Sequence, residues 1–264
     1  MMQVAQLYRY PVKGLSAEPT PVLALTRDHG VLHDRIYALA LGTTQFSPEA
    51  PQPLDKGKFL MLRANEILAA LSTHLDPVTS ILTILQKGRE SSQFDLSTAI
   101  GRAQAETFFT NYAGADARGQ IKLVHAIGHK FTDISVVSPA MMRAISVINL
   151  ETVRLLQARV GHEVHPLRFR ANVYIDGLDA AEELDWEGRE ICIGPVRFRG
   201  ALRTRRCAAI DVNPMTAGRD SHLPKAIMRH FGHPDLGIYL EIMEDGILTL
   251  NDRVFLPNDQ GSDG

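Results

Sequence analysis

The strongest constraint on this fold is a rhythm of short, strand-length apolar runs, each closed by a Gly- or Pro-bearing turn. "VAQLYRYPV", "PVLALT", "RIYALAL", "SILTIL", "IKLVHA" and "FRANVYIDG" follow one another in this way. "DWEGREICIGPVRFRGALRT" reads as two strands turning at Gly194-Pro195, and "IYLEIMEDGILTL" as a hairpin turning at Asp245-Gly246. Helical spacing is confined to four stretches. "NEILAALSTHL" places Ile67, Leu68 and Leu71 on one side with Asn65 as a cap. "FDLSTAIGRAQAETFFTNYAG" predicts a capped helix to about Tyr112, "NLETVRLLQARVG" one capped by Asn149 and ended by Gly161, and "LPKAIMRHFG" a short one closed by Gly232. Alternating βαβ units are not evident, and no glycine-rich phosphate loop follows a strand. The expectation is a predominantly β, α+β protein with a β-barrel-like core and added helices. A domain boundary is expected near residue 95, giving segments 1–95 and 96–257, with 258–264 ("NDQGSDG") as a disordered tail.

Bulk properties exclude several classes. The formal net charge of -2 gives no general attraction to nucleic acid or anionic membrane, and 6% aromatic content offers little for base stacking. No apolar run approaches transmembrane length, and "MMQVAQLYRYPVKG" lacks the features of a secretory signal, so a cytoplasmic location is expected. The 2 cysteines, Cys192 and Cys207, cannot build a disulfide framework or an iron–sulfur cluster of the usual kind. Cys192, in "REICIG", reads as a small buried strand residue.

Cys207 is different. It closes "VRFRGALRTRRC", in which Val196, Phe198, Leu202 and Thr204 alternate with Arg197, Arg199, Arg203 and Arg205. The alternation alone requires only a half-exposed strand. A thiol beside Arg206 is less ordinary, because nearby positive charge favours the thiolate, the form that attacks electrophiles and binds metals. The histidine pairs His125/His129, His162/His165 and His230/His233 have ligand-like spacing, yet nothing in the sequence completes a zinc site around them, and they read as exposed or capping residues. Arg35 precedes a strand, and Arg168 and Arg170 bracket Phe169; arginine suits a bidentate grip on phosphate. Arg168 is read as a surface salt-bridge residue. No Gly-x-Ser-x-Gly nucleophile elbow is present.

Four stretches in order, "YRYPVKGLSAE", "HDRIYALA", "LRFRANVYIDG" and "TRRCAAIDVNP", make the chain resemble the MOSC family with its N-terminal β-barrel partner, over residues 2 to about 256. The resemblance implies a MOSC β-barrel core with helices plus an N-terminal β-barrel-like domain. In relatives such as the amidoxime-reducing component, the cysteine matching Cys207 is a molybdenum ligand alongside the dithiolene of molybdopterin. It further implies that Lys13, Arg35, Arg170, Asn172 and Arg206 hold the pterin and its phosphate, with Asn149 and Tyr239 as further contact positions. Three departures stand out. Gly14 replaces a serine found in several relatives, Asn213 stands at the usual aspartate, and no C-terminal ferredoxin-like domain follows.

The implied activity is reduction of N-hydroxylated small molecules with the molybdenum cofactor, with electrons supplied by a separate flavin or iron–sulfur partner. Two alternatives remain: a non-catalytic carrier of the cofactor, and a sulfur carrier using a Cys207 persulfide. The chain has no room for a pyridoxal-phosphate desulfurase domain, so direct binding of pyridoxal phosphate is not expected. Neither nucleic acid nor membrane is expected as a partner.

Overall fold

The structure is a computed structural model and describes residues 1–257. The expected tail lies outside the described residues. In chain order the strands of the first half are β1 (Gln3–Arg9), β2 (Glu18–Pro19), β3 (Val22–Thr26), β4 (Gly30–Val31), β5 (Tyr37–Ala40), β6 (Leu71–Leu75), β7 (Ile81–Gln86) and β8 (Ser92–Asp95). Helix α1 (Ala99–Ala113) follows, then β9 (Lys122–His125), α2 (Pro139–Arg143), β10 (Ile145–Asn149), α3 (Leu150–Val160) and β11 (Val173–Asp176). The chain continues through β12 (Glu190–Ile193), β13 (Val196–Arg205), α4 (Leu223–Phe231), β14 (Asp235–Ile242), β15 (Gly246–Thr249) and β16 (Val254–Phe255).

An eight-stranded curled sheet in the order β16-β12-β13-β14-β10-β11-β1-β2 dominates the molecule. One face buries Val4, Leu7, Val147, Phe198, Leu240 and Trp186 with residues of β3 and β15. Helices α3 and α4 cover the other face, packing Val153, Leu156, Leu223 and Ile227 onto Ile148 and Tyr174. The sheet β15-β3-β4 packs onto that first face, and the smaller sheets β5-β9 and β6-β7-β8 lie in the N-terminal β-barrel portion. There Leu39, Leu60, Leu82 and Ile84 form a second core with Phe109 of α1.

Local chemistry explains the element ends. Thr98 Oγ1 accepts the Gly101 N–H at the start of α1, and Asn149 Oδ1 accepts that of Glu151 at the start of α3. Gly161 and Gly232 end α3 and α4 in the left-handed conformation. Gly194-Pro195 makes the two-residue turn between β12 and β13.

Three sequence expectations need correction. "NEILAALSTHL" is not a helix: a 3-10 turn at Glu66–Ala70 passes into β6, where Leu71, Thr73 and Leu75 alternate inward and pair with β7. Asn65 does not cap it; its side chain accepts from Met61 N–H and donates to Asp116. "IYLEIMEDGILTL" turns where expected but is no hairpin, because β14 pairs with β10 and β13 while β15 crosses to β3. A βαβ unit does occur: β10 and β11 are parallel neighbours joined through α3. Every residue of β10 is buried, so it lacks the alternation by which a half-exposed strand is recognised.

Candidate functional site

A cavity of about 260 Å³ opens where β13 ends and the N-terminal segments approach the large sheet. Lys13, Arg35, Arg170, Asn172, Arg206, Cys207 and Tyr239 all line it. Asn149 does not: it is fully buried, donating to the carbonyls of Leu178 and Asp179 and to the Glu183 carboxyl, so its side chain is spent on the start of α3.

Two arginines form the inner wall. Arg35 and Arg170 both adopt left-handed backbone angles, with φ of 50° and 54°. That conformation costs a non-glycine residue on the order of 1 kcal/mol and persists where surrounding structure enforces it. The guanidinium groups lie over the Tyr10 ring at 4.6 and 4.5 Å. Tyr10 is buried, its hydroxyl donating to Ala171 O and its N–H to Asp34 Oδ1. Arg35 donates to Asp34 Oδ2, Arg170 O and Asn172 Oδ1. Burial opposes its charge, but the Asp34 carboxylate overcomes this and holds its pKa above the usual value. Arg170 has no such partner among the described residues, and burial, reinforced by Arg35, lowers its pKa. Asn172 therefore orients Arg35, since its amide also donates to Tyr8 O and accepts from Ser146 N–H.

Lys13 is buried and binds Phe131 O and the carboxylate of Asp133. Burial lowers its pKa, against the pull of Asp133. Arg206 donates to Leu236 O and Phe169 O, but its Nη2 has no hydrogen-bond partner among the described residues. Gly237 makes room for it: with φ of +80°, an added Cβ would sit 2.5 Å from Val147 O and 3.0 Å from Arg206 Nη2. Cys207 is partly exposed, and Lys56 Nζ lies 4.0 Å from its sulfur. Tyr239 has its hydroxyl pKa raised by burial.

Several lining residues were not singled out by the sequence: Lys56, Thr132, Asp133, Ser146 and Arg63. Phe169, Ala209 and Ile210 also line the cavity and lie inside the quoted motifs, as does Tyr10 behind the arginines. Lys56 and Asp133 sit in stretches with no periodicity and meet only through the fold, 3.8 Å apart. Arg168 is not a surface residue. It is buried beneath the cavity, donating to Ile210 O, Asp211 O and Asp220. Leu202 does not face the core with its neighbours; a bulge between Gly200 and Leu202 leaves it 38% exposed at the cavity wall.

Gly14 has φ of +83° and an added Cβ would approach Leu60 O at 3.1 Å, so glycine suits the backbone here. Asn213 lies outside the cavity lining and donates to Asp220 Oδ2, where an aspartate would meet like charge. His129 is buried against Phe46 and Phe131, His125 packs on Tyr37, and His165 and His233 accept backbone N–H groups. Among the described residues no three His, Cys, Asp or Glu side chains gather at a point suited to a metal.

A barrel-like β protein with a thiol at the mouth of a cationic cavity is the class this geometry defines. The chain belongs to the MOSC family: the MOSC domain matches residues 127–255 and the MOSC N-terminal beta barrel domain residues 1–126. It is 30% identical over 111 residues to a molybdenum cofactor sulfurase of Anopheles gambiae, a match covering 38% of this chain and 14% of that protein. It is 27% identical over 112 residues to mitochondrial amidoxime reducing component 2 of Rattus norvegicus, covering 38% and 32%. The matched part thus spans less than a third of either relative. Among solved structures, the YuaD protein of Bacillus subtilis aligns over 96% of this chain and 94% of its own, at 13% identity and a TM-score of 0.47. No helix among the described residues is long and apolar enough to cross a membrane.

Proposed function

We propose that the cavity binds the molybdenum cofactor with Cys207 as a metal ligand, and that the protein reduces N-hydroxylated compounds. The observation that carries this reading is a set of unpartnered polar atoms beside a thiol. Arg206 Nη2, Thr132 Oγ1 and Thr204 Oγ1 are buried, belong to lining residues and have no hydrogen-bond partner among the described residues. Buried donors left unmade cost about 1–3 kcal/mol each, which a phosphorylated pterin would recover. A soft sulfur donor next to guanidinium groups suits a molybdenum centre carried on an anionic cofactor.

The bound cofactor would supply two-electron chemistry at molybdenum. The residues of this chain do the rest. Arg170 and Arg206, which have no carboxylate partner among the described residues, would neutralise the phosphate, and Lys13 and Arg35 would form the inner wall of its site. Cys207 fixes the metal at the mouth, where substrate can reach it. In the overall reaction the N–O bond of the N-hydroxylated compound breaks; two electrons and two protons yield the amine or amidine and water. The electrons come from a separate flavin or iron–sulfur protein.

The test is purification from a host that makes the cofactor, with molybdenum, pterin and cyanide-labile sulfur measured before and after Cys207→Ala. One molybdenum per chain, lost on substitution, together with benzamidoxime reduction by an artificial donor, supports the reductase. Bound molybdenum without turnover means a cofactor carrier, and labile sulfur without molybdenum means a persulfide carrier; either overturns it.

A further inference from the structure

The charges around the cavity exceed what the cofactor needs, and the excess is at the rim. Among the described residues, nine lysines and arginines line it against one carboxylate, Asp133. Lys13 and Lys56 share Asp133, and Arg35, Arg168 and Arg203 pair with Asp34, Asp220 and Asp185. Arg170 and Arg206 match the phosphate, which carries between one and two charges near neutrality. Arg63 and Arg205 then remain. Both are exposed, both line the cavity, and neither side chain has an ion pair or hydrogen bond among the described residues.

These two arginines come from segments far apart in sequence, yet the backbone beside each is tied to the other through one side chain. Arg219 donates to Ala208 O at 2.9 Å, to Leu62 O at 2.9 Å and to Arg63 O at 2.7 Å, and pairs with Glu66 at 3.3 Å. One guanidinium therefore ties the turn bearing Arg63 to the segment bearing Cys207. Met61, Leu62 and Leu202 add apolar surface to the lining of the same cavity. The rim thus offers a platform for a hydrocarbon body and two free guanidiniums beside the thiol.

We infer that the substrate carries an anionic group, a carboxylate or its equivalent, which Arg63 and Arg205 read at the mouth of the cavity. The inference rests on the reductase reading for the other end of the molecule, the N-hydroxyl group that must face Cys207. It assigns Arg63 and Arg205 to specificity, not to the cofactor.

The experiment compares benzamidoxime, 4-carboxybenzamidoxime and 4-(aminomethyl)benzamidoxime for calorimetric binding to the cofactor-loaded protein, and separately for turnover. The carboxylate compound should bind about tenfold tighter than the neutral one, from charge-assisted hydrogen bonding, and the amine more weakly. The preference should shrink as salt rises. It should vanish in the Arg63→Gln/Arg205→Gln double variant with molybdenum content unchanged. It should persist in Arg199→Gln, an exposed arginine of β13 outside the cavity lining. Equal binding of the three compounds overturns the inference, as does a preference that survives the double variant. Loss of molybdenum from that variant also overturns it, by assigning the two arginines to the cofactor. Preferential binding with no turnover of any compound sinks the reductase reading and leaves the anionic rim standing.

Discussion

Glu183 provides a stability switch whose size follows from its surroundings. It is fully buried; Oε2 accepts from Asn149 Nδ2 at 3.2 Å and Thr152 Oγ1 at 2.8 Å, while Oε1 has no hydrogen-bond partner among the described residues. Burial outweighs these hydrogen bonds and pushes its pKa up from 4.5 to about 7. The neutral acid is therefore the form the native state holds. Below the unfolded-state pKa both states are protonated and the native state bears no penalty. As pH rises through 4.5 and on to about 7, the unfolded chain releases the proton first, and stability falls. The full loss is about 3 kcal/mol, because a tenfold difference in proton affinity between folded and unfolded chain is worth about 1.4 kcal/mol. Glu183→Gln keeps an acceptor for Asn149 and Thr152 but cannot ionise. Urea unfolding of both proteins at constant ionic strength, from about pH 4.5 to pH 8, isolates the effect from other titrating groups. Wild type should lose about 3 kcal/mol relative to the variant across that range, then run parallel. Curves parallel throughout would refute the argument that desolvation governs this carboxyl.

Lys130 behaves in the opposite sense. Burial lowers its pKa to about 8, so wild type should gain stability relative to Lys130→Met as pH rises from about 8 to 10.5, read by the same unfolding assay. Gly200→Ala should destabilise by about 3 kcal/mol or prevent folding, since its Cβ would fall 1.8 Å from Trp186 O, as a thermal melt would show. In the native apoprotein one thiol, Cys207, should react quickly with a disulfide reagent, whereas Cys192, 9% exposed and with its pKa raised by burial, should react only on unfolding; mass spectrometry of the labelled peptides decides. Arg219→Ala should cost about 1–2 kcal/mol and increase proteolysis near residues 62 and 63, because three backbone carbonyls lose their donor.

Strands β3, β7 and β13 up to Gly200 were readable because they are half-exposed and alternate. What escaped was set by partners distant in sequence. The 65–75 segment satisfies helical spacing as well as strand spacing, and only pairing with β7 decides between them. Strand β10, buried along its whole length, has no polar face to mark it. The site divides similarly. Lys13, Arg35, Arg170 and Cys207 sit in recognisable stretches and converge on one cavity, but Asn149 was misplaced because a helix cap and a ligand contact look alike in sequence. Lys56, Arg63 and Asp133 carry no local signal, and their role exists only where separate loops meet.

Strand β1 pairs with β11, and β3 with β15, so the earliest residues of the chain are completed by some of the latest. A nascent chain emerging from the ribosome must hold its opening strand, edge unsatisfied, until the stretch beginning at Val173 arrives. Translation order and assembly order are therefore at odds, and cutting this protein at residue 126 would separate two pieces that each lack a strand the other carries.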